Sequence, residues 1–320
     1  MNILITGVTG LFGRELAKTF SSLGTIHGLR RSNSSFTDPD LAGVTIQWHE
    51  GDILDFSSLL EAVAGMDIVI HAAGKVSFLP QDDKEVYKVN HEGTTHVVNA
   101  LLATGVPKLV YVSSVAALGQ IPDQEDYDEK STWVDAADQT SYAISKYMAE
   151  LEVWRGEQEG LQVLVVNPAV LLGKISYTRS SGVLYQAIRK GLPFFPAGNL
   201  NYIDVRDAAA ITQALVAAQA WGERFILTKE SIPYQAFFQK VTQVIGGIAP
   251  TGVVPNWGIN WGFPLLKMVS LLFGKKLPLS AAMARNAQQK TRYRNQKVEA
   301  YLQFRYRDLQ ETLSWANTPG

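Results

Sequence analysis

The chain has 320 residues, a formal net charge of −1, 46% hydrophobic and 18% charged residues, and no cysteine. This is a globular composition with material for one large core or two modest ones; it excludes a globally basic nucleic-acid binder, a disordered or fibrous chain, disulfide bonds, thiolate catalysis and cysteine-ligated metal, and no metal is called for. An apolar strand pattern starting at residue 2 leaves no room for a signal peptide, so a cytoplasmic location is expected.

Ile3 to Ile5 reads as a short buried strand that breaks at Thr6 into a turn carrying Gly7, Gly10 and Gly13, and a helical pattern runs from Leu11 to Leu23. In a strand–turn–helix unit of this kind one glycine allows the tight turn, one lets the backbone approach a pyrophosphate, and one lets the helix pack closely on the sheet. Phosphates then sit on the free N–H groups and positive dipole end of the helix. The spacing is G-x-x-G-x-x-G, one residue wider between the first two glycines than the usual dinucleotide fingerprint.

Thr25 to Leu29 is the expected second strand, ending in Arg30-Arg31-Ser32. An acid at this place serves the ribose hydroxyls of NAD, whereas arginine favours the 2′-phosphate of NADP, so the pair points to NADP(H); a solvated basic turn is the alternative. Val44 to His49 and Asp67 to His71 follow as third and fourth strands, with Gly51-Asp52-Ile53 and Ala72-Ala73-Gly74 at their ends, small residues that leave room for a ligand. Asp52 is placed either to contact an adenine amine or to cap the helix beginning near Phe56.

Tyr87 to Ala103 reads as a helix and Lys108 to Val112 as a fifth strand, ending in Ser113-Ser114. Strands and helices alternating in this way require crossovers and hence a parallel, doubly wound α/β sheet. An acidic stretch from Asp123 to Asp138 reads as a solvated loop. Tyr142 and Lys146 then lie four apart on one helix, about 6 Å along its axis, where an ammonium lowers the pKa of a phenol toward the range needed for proton transfer.

Taken together, Thr6-Gly7-Val8-Thr9-Gly10-Leu11-Phe12-Gly13, His71-Ala72-Ala73-Gly74, Val89 to Thr94, Val112-Ser113-Ser114 with Gly119, Tyr142-x-x-x-Lys146, Asn167-Pro168-Ala169-Val170 and Tyr202-Ile203-Asp204-Val205-Arg206-Asp207 resemble the extended short-chain dehydrogenase/reductase superfamily. The stretch Ala197 to Asp207 is most similar to its dihydroflavonol-reductase-like and 3β-hydroxysteroid-dehydrogenase-like branch, and lacks the Gly-Asp-Gly form of the nucleotide-sugar epimerases. The resemblance implies a Rossmann-type domain of residues 1–170 and 199–228, and a smaller, mostly helical substrate domain of 171–198 and 229–320. It implies Tyr142 as general acid/base, Lys146 as the group that lowers its pKa and binds the nicotinamide ribose, and Ser114 holding the substrate oxygen, with Ser113 the second candidate. Cofactor contacts are implied for Gly7, Thr9, Gly10, Leu11, Phe12, Gly13, Arg30, Arg31, Asp52, Ile53, Ala72, Ala73, Gly74, Asn90, Val112, Tyr142, Lys146, Pro168 and Val170.

In the second half, Tyr202 to Ala218 is expected to return to the cofactor domain and Phe225 to Leu227 to add an edge strand. Val241 to Leu266 has no charged residue, and Trp257, Trp261, Phe263, Leu271, Leu272 and Phe273 crowd one region, an aromatic pocket wall or a small core; the prolines and glycines there argue against a membrane span. The basic run from Lys267 to Arg307 reads as a solvated face first, an anion attractor second and a membrane-surface contact third. Lys297 to Phe304 resembles the family's closing Lys-x-x-x-x-Leu-Gly-Phe, with Gln303 in place of the glycine. The expectation is an NADP(H)-dependent oxidoreductase interconverting a carbonyl and an alcohol on an apolar small molecule. The alternatives are a nucleotide-sugar epimerase or dehydratase with retained NAD and a non-catalytic NADPH-binding regulator. Helices around Asn90 to Ala103 and Tyr142 to Trp154 resemble the pair through which family members form homodimers, although their apolar positions would equally serve an internal core.

Overall fold

The computed structural model describes residues 1–32, 41–119, 121, 124–136, 139–174, 185, 188, 191, 193–255 and 281–318. The elements in chain order are β1 (Asn2–Thr6), α1 (Leu11–Phe20), β2 (Thr25–Arg30), β3 (Ile46–Glu50), α2 (Phe56–Val63), β4 (Ile68–His71), α3 (Asp83–Tyr87), α4 (Gly93–Thr104), β5 (Lys108–Val112), β6 (Asp126–Tyr127), α5 (Ser141–Gln158), β7 (Gln162–Pro168), β8 (Val170–Leu172), β9 (Phe194–Phe195) and β10 (Asn199–Asp204). They continue as α6 (Val205–Ala217), β11 (Glu223–Leu227), β12 (Glu230–Pro233), α7 (Tyr234–Ile245), β13 (Gly252–Val253), α8 (Ala281–Asn286), β14 (Arg292–Tyr293), α9 (Gln296–Leu302) and α10 (Leu309–Ala316).

Seven strands form one parallel sheet in the order β11-β7-β5-β4-β1-β2-β3, the doubly wound arrangement the alternation demands. The strands read as unbroken apolar runs because both faces are covered. Ile3 and Ile5 of β1, Val110 of β5 and Val166 of β7 pack with Phe12, Leu16, Ile211 and Leu215 of α1 and α6. On the other face Leu4, Leu109, Tyr111, Val163 and Val165 meet Leu59, Val97, Leu101 and Val153 of α2, α4 and α5.

Three differences from the sequence expectations have physical causes. The apolar run of β7, not singled out above, fills the place between β5 and the expected edge strand β11. β10 belongs not to the seven-stranded sheet but to a separate three-stranded one, parallel to β8 and antiparallel to β12, a choice of partners that a strand's own pattern does not reveal. The helix around Asn90 contains a π turn at Lys88–Glu92 between α3 and α4, a local distortion that periodicity cannot register.

A third core gathers Tyr185, Ile188, Phe237, Phe238, Val241, Leu309 and Leu313 with Leu172, Leu200 and Tyr202. In sequence, Ser176 to Gly182 reads as a polar loop over the site and Val183 to Lys190 as a helix; the first, most of the second, and Trp257, Trp261, Phe263, Leu271, Leu272 and Phe273 lie outside the described residues. No helix among the described residues is long and apolar enough to cross a membrane.

The acidic and basic stretches pair with each other. β14 lies parallel to β6, and Arg292 donates from Nε and Nη2 to the Asp126 carboxylate at 3.0 and 2.9 Å, while Arg294 Nη2 lies 2.7 Å from Asp126 Oδ1. Lys297 Nζ donates to Glu223 Oε2 at 2.5 Å and to the Arg224 carbonyl at 2.7 Å. These side chains remain partly exposed, but they are partners across more than 70 residues of sequence rather than two independent solvated surfaces.

Tyr202-Ile203-Asp204-Val205-Arg206-Asp207 is a clasp for the C-terminal segment. Asp204 caps α6 by accepting from Arg206 N at 2.8 Å, and its Oδ2 accepts from Thr312 Oγ1 of α10 at 2.8 Å. Asp207, fully buried, accepts from the Arg307 backbone N–H at 2.8 Å and pairs with the Arg307 guanidinium; burial nevertheless pushes its carboxyl above the ordinary carboxylate range.

Gln303, at φ +47°, ends α9 in the left-handed conformation, which explains why a glycine is the family residue there. Gln303→Gly is therefore expected to stabilise the fold by about 0.5–1 kcal/mol, read as a higher urea midpoint; an unchanged or lower midpoint would show that the side chain compensates the strain.

Candidate active site

The glycine turn is built by close approach. Gly7, at φ +76°, lies so near the end of β4 that a Cβ there would meet Ala73 Cα at 2.7 Å, and a Cβ on Gly13 would fall 2.1 Å from the Gly7 carbonyl oxygen. Gly10 has an ordinary φ of −86° and stands exposed with Thr9 as the first residue before α1, whose N-terminus carries no side-chain cap. An uncapped, exposed N-terminus of a ten-residue helix behind a glycine turn is a fitting cradle for a pyrophosphate. Phe12 is buried in the core and Leu11 packs against Gly173, so both side chains hold the turn in place.

At the end of β2 the Arg30 guanidinium lies 5.2 Å from the centre of the Trp48 ring, a cation–π contact. Arg31 is exposed one residue beyond. An acid does stand close by: Glu50, exposed at the end of β3, is the register partner of Arg30. Sequence order hid it, because it arrives from the neighbouring strand.

Asp52 does not cap α2. That place is held by Asp55, whose carboxylate accepts from Ser57 N at 3.1 Å, while Asp52 Oδ1 accepts from Leu54 N at 3.0 Å within its own loop. Ile53 is buried against Gly93. Asn90 is buried and works as a bracket. Its Oδ1 accepts from Lys75 N at 2.7 Å, and its Nδ2 donates to the Lys75 carbonyl at 3.0 Å and to Ser145 Oγ on α5 at 2.9 Å. It thereby fixes the loop after Ala72-Ala73-Gly74 to the helix bearing Tyr142, from within the π turn at Lys88–Glu92.

Under this loop, His71 is fully buried between Thr6 Oγ1 at 2.7 Å and Thr94 Oγ1 at 3.0 Å, and desolvation, reinforced by the Lys146 charge, brings its imidazole down to about 3. It is neutral at physiological pH and serves as a hydrogen-bonded spacer between strand β1 and α4.

α5 begins at the Thr140 cap, whose side chain accepts from Ala143 N at 3.1 Å, and carries Tyr142 and Lys146 on the face toward β5. The Tyr142 phenol lies beside the Ser114 side chain, which acts on its titration, and its ring meets Phe78 edge to face at 5.5 Å. Lys146 is buried, donates to the Val112 carbonyl at 2.7 Å and lies 4.6 Å from the centre of the Tyr111 ring. Ser114, Tyr142 and Lys146 are thus gathered at the carboxyl end of β5, where ligands bind in open α/β sheets.

One electrostatic expectation reverses. Burial pushes the Tyr142 phenol above its ordinary value, with the Ser114 hydrogen bond acting in the opposite direction, whereas burial brings the Lys146 amine down to about 7 with Glu150 opposing. The cause is desolvation of both groups, which their spacing along a helix does not reveal.

Ser113, the second candidate, points the other way: it is buried and its Oγ donates to Glu150 Oε2 at 2.6 Å. Pro168 ends β7 in a buried position and Val170, 39% exposed, opens β8.

The NAD dependent epimerase/dehydratase family matches residues 3–225, and the chain belongs to it. A Synechocystis sp. protein provisionally named dihydroflavonol 4-reductase is 31% identical over 261 residues, 79% of this chain and 75% of that protein. Sterol demethylase protein B of Methylococcus capsulatus is 27% identical over 270 residues, 83% of this chain and 81% of that one. The crystal structure of gox2253 superposes with a TM-score of 0.82 at 26% identity, covering 98% of this chain and 96% of that one. The chain is of the extended short-chain dehydrogenase/reductase type, in a family of oxidoreductases and epimerases that use a nicotinamide dinucleotide on small molecules.

Proposed function

We propose that this protein is an NADP(H)-dependent oxidoreductase that interconverts a carbonyl and an alcohol on a largely apolar small molecule. The observation that carries the reading is the gathering of Ser114, Tyr142 and Lys146 at the carboxyl end of β5, in the same parallel sheet whose β1 leads into the glycine turn. Gly7 to Gly13 with the N-terminus of α1 would hold the pyrophosphate, Arg30 and Arg31 the 2′-phosphate, and Lys146 the nicotinamide ribose. The bound dinucleotide supplies or accepts the hydride. In reduction Tyr142 gives the proton of its hydroxyl to the carbonyl oxygen, Ser114 donates a hydrogen bond to that oxygen, and the Lys146 charge stabilises the alkoxide character that develops there.

A phenol pushed up by burial holds its proton at neutral pH, which suits it to act as an acid and favours the reductive direction. The Lys146 charge is present below about 7 and lost above it, so the reductive rate is expected to fall as pH rises through neutrality, read as kcat/KM against pH; a rate that climbs over the same range contradicts this assignment. The Phe78 ring against Tyr142 and the exposed Val76 in the same loop favour an apolar partner, as do the names of the two relatives.

The test is NADPH consumption against ketones, aldehydes and sterol-like carbonyls with NADH as control. Consumption of NADPH with at least one class supports the reading, and none with any class counts against it. Arg30→Ala should lower the preference for NADPH over NADH by about 10- to 100-fold, the worth of a charge-assisted contact; an unchanged preference removes Arg30 from the phosphate site.

Glu50 beside Arg30 favours a second reading, a nucleotide-sugar epimerase that retains NAD, with the carboxylate serving the ribose hydroxyls. Release of stoichiometric NAD from the purified protein on denaturation would support it.

A further inference from the structure

Tyr142, Lys146 and Glu150 follow one another at intervals of four on α5 and so share one side of it. Glu150 takes no part in the steps above, yet it is only 3% exposed. Its Oε2 accepts from Ser113 Oγ at 2.6 Å and from Asn167 Nδ2 at 2.9 Å. Its Oε1 accepts from Arg224 Nη1 at 3.0 Å and from Trp154 Nε1 at 3.4 Å. Asn167 Nδ2 also donates to the Ser114 carbonyl at 3.0 Å. One carboxylate therefore ties β5, β7 and β11 to the helix that carries the tyrosine.

We propose that Glu150 is a positioning residue for the Ser114, Tyr142 and Lys146 site: its carboxylate, one turn beyond Lys146 on α5, fixes the Ser113-Ser114 turn against that helix and places a negative charge behind the Lys146 amine. This rests on the reading of that site as a proton-transfer centre. A buried carboxylate is retained at a desolvation cost, which the Arg224 guanidinium at 3.0 Å offsets from β11 and the Lys146 amine, one turn along α5, offsets further when it is charged.

The groups that face Lys146 leave Glu150 as its source of negative charge among the described residues. Tyr111 of β5 presents its ring, and burial pushes its phenol well above the ordinary value. His71 of β4 is neutral, and the Tyr142 phenol is raised. Around Glu150, Ser113 and Asn167 are neutral donors and Arg224 of β11 is a partly exposed cation behind it. Burial lowers the Lys146 amine and Glu150 opposes that shift.

The test is an NMR titration of the Lys146 side chain in lysine-labelled protein, its resonance assigned by loss in Lys146→Arg. The wild type is expected to titrate at about 7. Glu150→Gln, which keeps an acceptor for Ser113 but removes the charge, should lower the midpoint by about one pH unit or more. Arg224→Met, which removes the cation opposing the carboxylate, should raise it. An unchanged midpoint in Glu150→Gln overturns the proposal, and if that variant does not fold, Arg224→Met decides alone, an upward shift supporting the proposal and no shift overturning it. The titration needs no substrate, so it stands apart from the functional reading: full turnover in Tyr142→Phe would remove that reading and leave the charge coupling measured here intact.

Discussion

Tyr142→Phe is expected to lower kcat for NADPH-dependent carbonyl reduction by about 10²–10⁴-fold, the usual contribution of a positioned acid. Its affinity for NADPH should stay close to that of the wild type. The substitution removes only the hydroxyl beside Ser114; the ring keeps its edge-to-face contact with Phe78, and Lys146 keeps its own hydrogen bond to the Val112 carbonyl. Steady-state rates with cofactor binding followed by NADPH fluorescence separate the two effects. Parallel loss of binding and turnover would make the residue architectural.

The second large effect falls far from the chemistry. Asp207→Ala is expected to destabilise the fold by about 3 kcal/mol, at the low end for a broken buried ion pair because Arg307 is itself 37% exposed. Asp207→Asn, which keeps the shape and an acceptor for the Arg307 N–H, should cost less, about 1–2 kcal/mol. The ordering follows from the hydrogen bonds: the amide still accepts from the Arg307 N–H, whereas the alanine leaves that N–H and the guanidinium without their partner. Urea midpoints of the two variants check it. Equal losses would show that the charge is what matters.

The parts of the molecule legible in the sequence were those whose meaning lies within a few residues. The glycine turn, the alternation of strand and helix through β5, and the Tyr142–Lys146 interval are local spacings, and each appears where its spacing put it. What escaped depends on partners distant in the chain. Glu150 meets Ser113 across 37 residues, Asp126 meets Arg292 across 166, and Glu50 comes beside Arg30 only when β3 pairs with β2. Asp52 and Asp55 are both plausible caps by composition, and only the start of α2 chooses between them. Ser113 and Ser114 are adjacent, and the alternation of a strand's end sends one into the Glu150 network and the other to Tyr142. The sign of the Tyr142 shift was out of reach for the same reason: spacing reveals the neighbouring charge, while desolvation is a property of the packed face.

The central claim is that Ser114, Tyr142 and Lys146 serve net hydride transfer to a carbonyl carbon. Incubation with NADPH carrying deuterium at the nicotinamide C4 position, followed by mass spectrometry of the product alcohol, tests it most directly. The expected result is one deuterium on the carbinol carbon per NADP⁺ formed, lost in Tyr142→Phe. Recovery of unlabelled product with the cofactor regenerated, as an internal redox cycle would give, would contradict it.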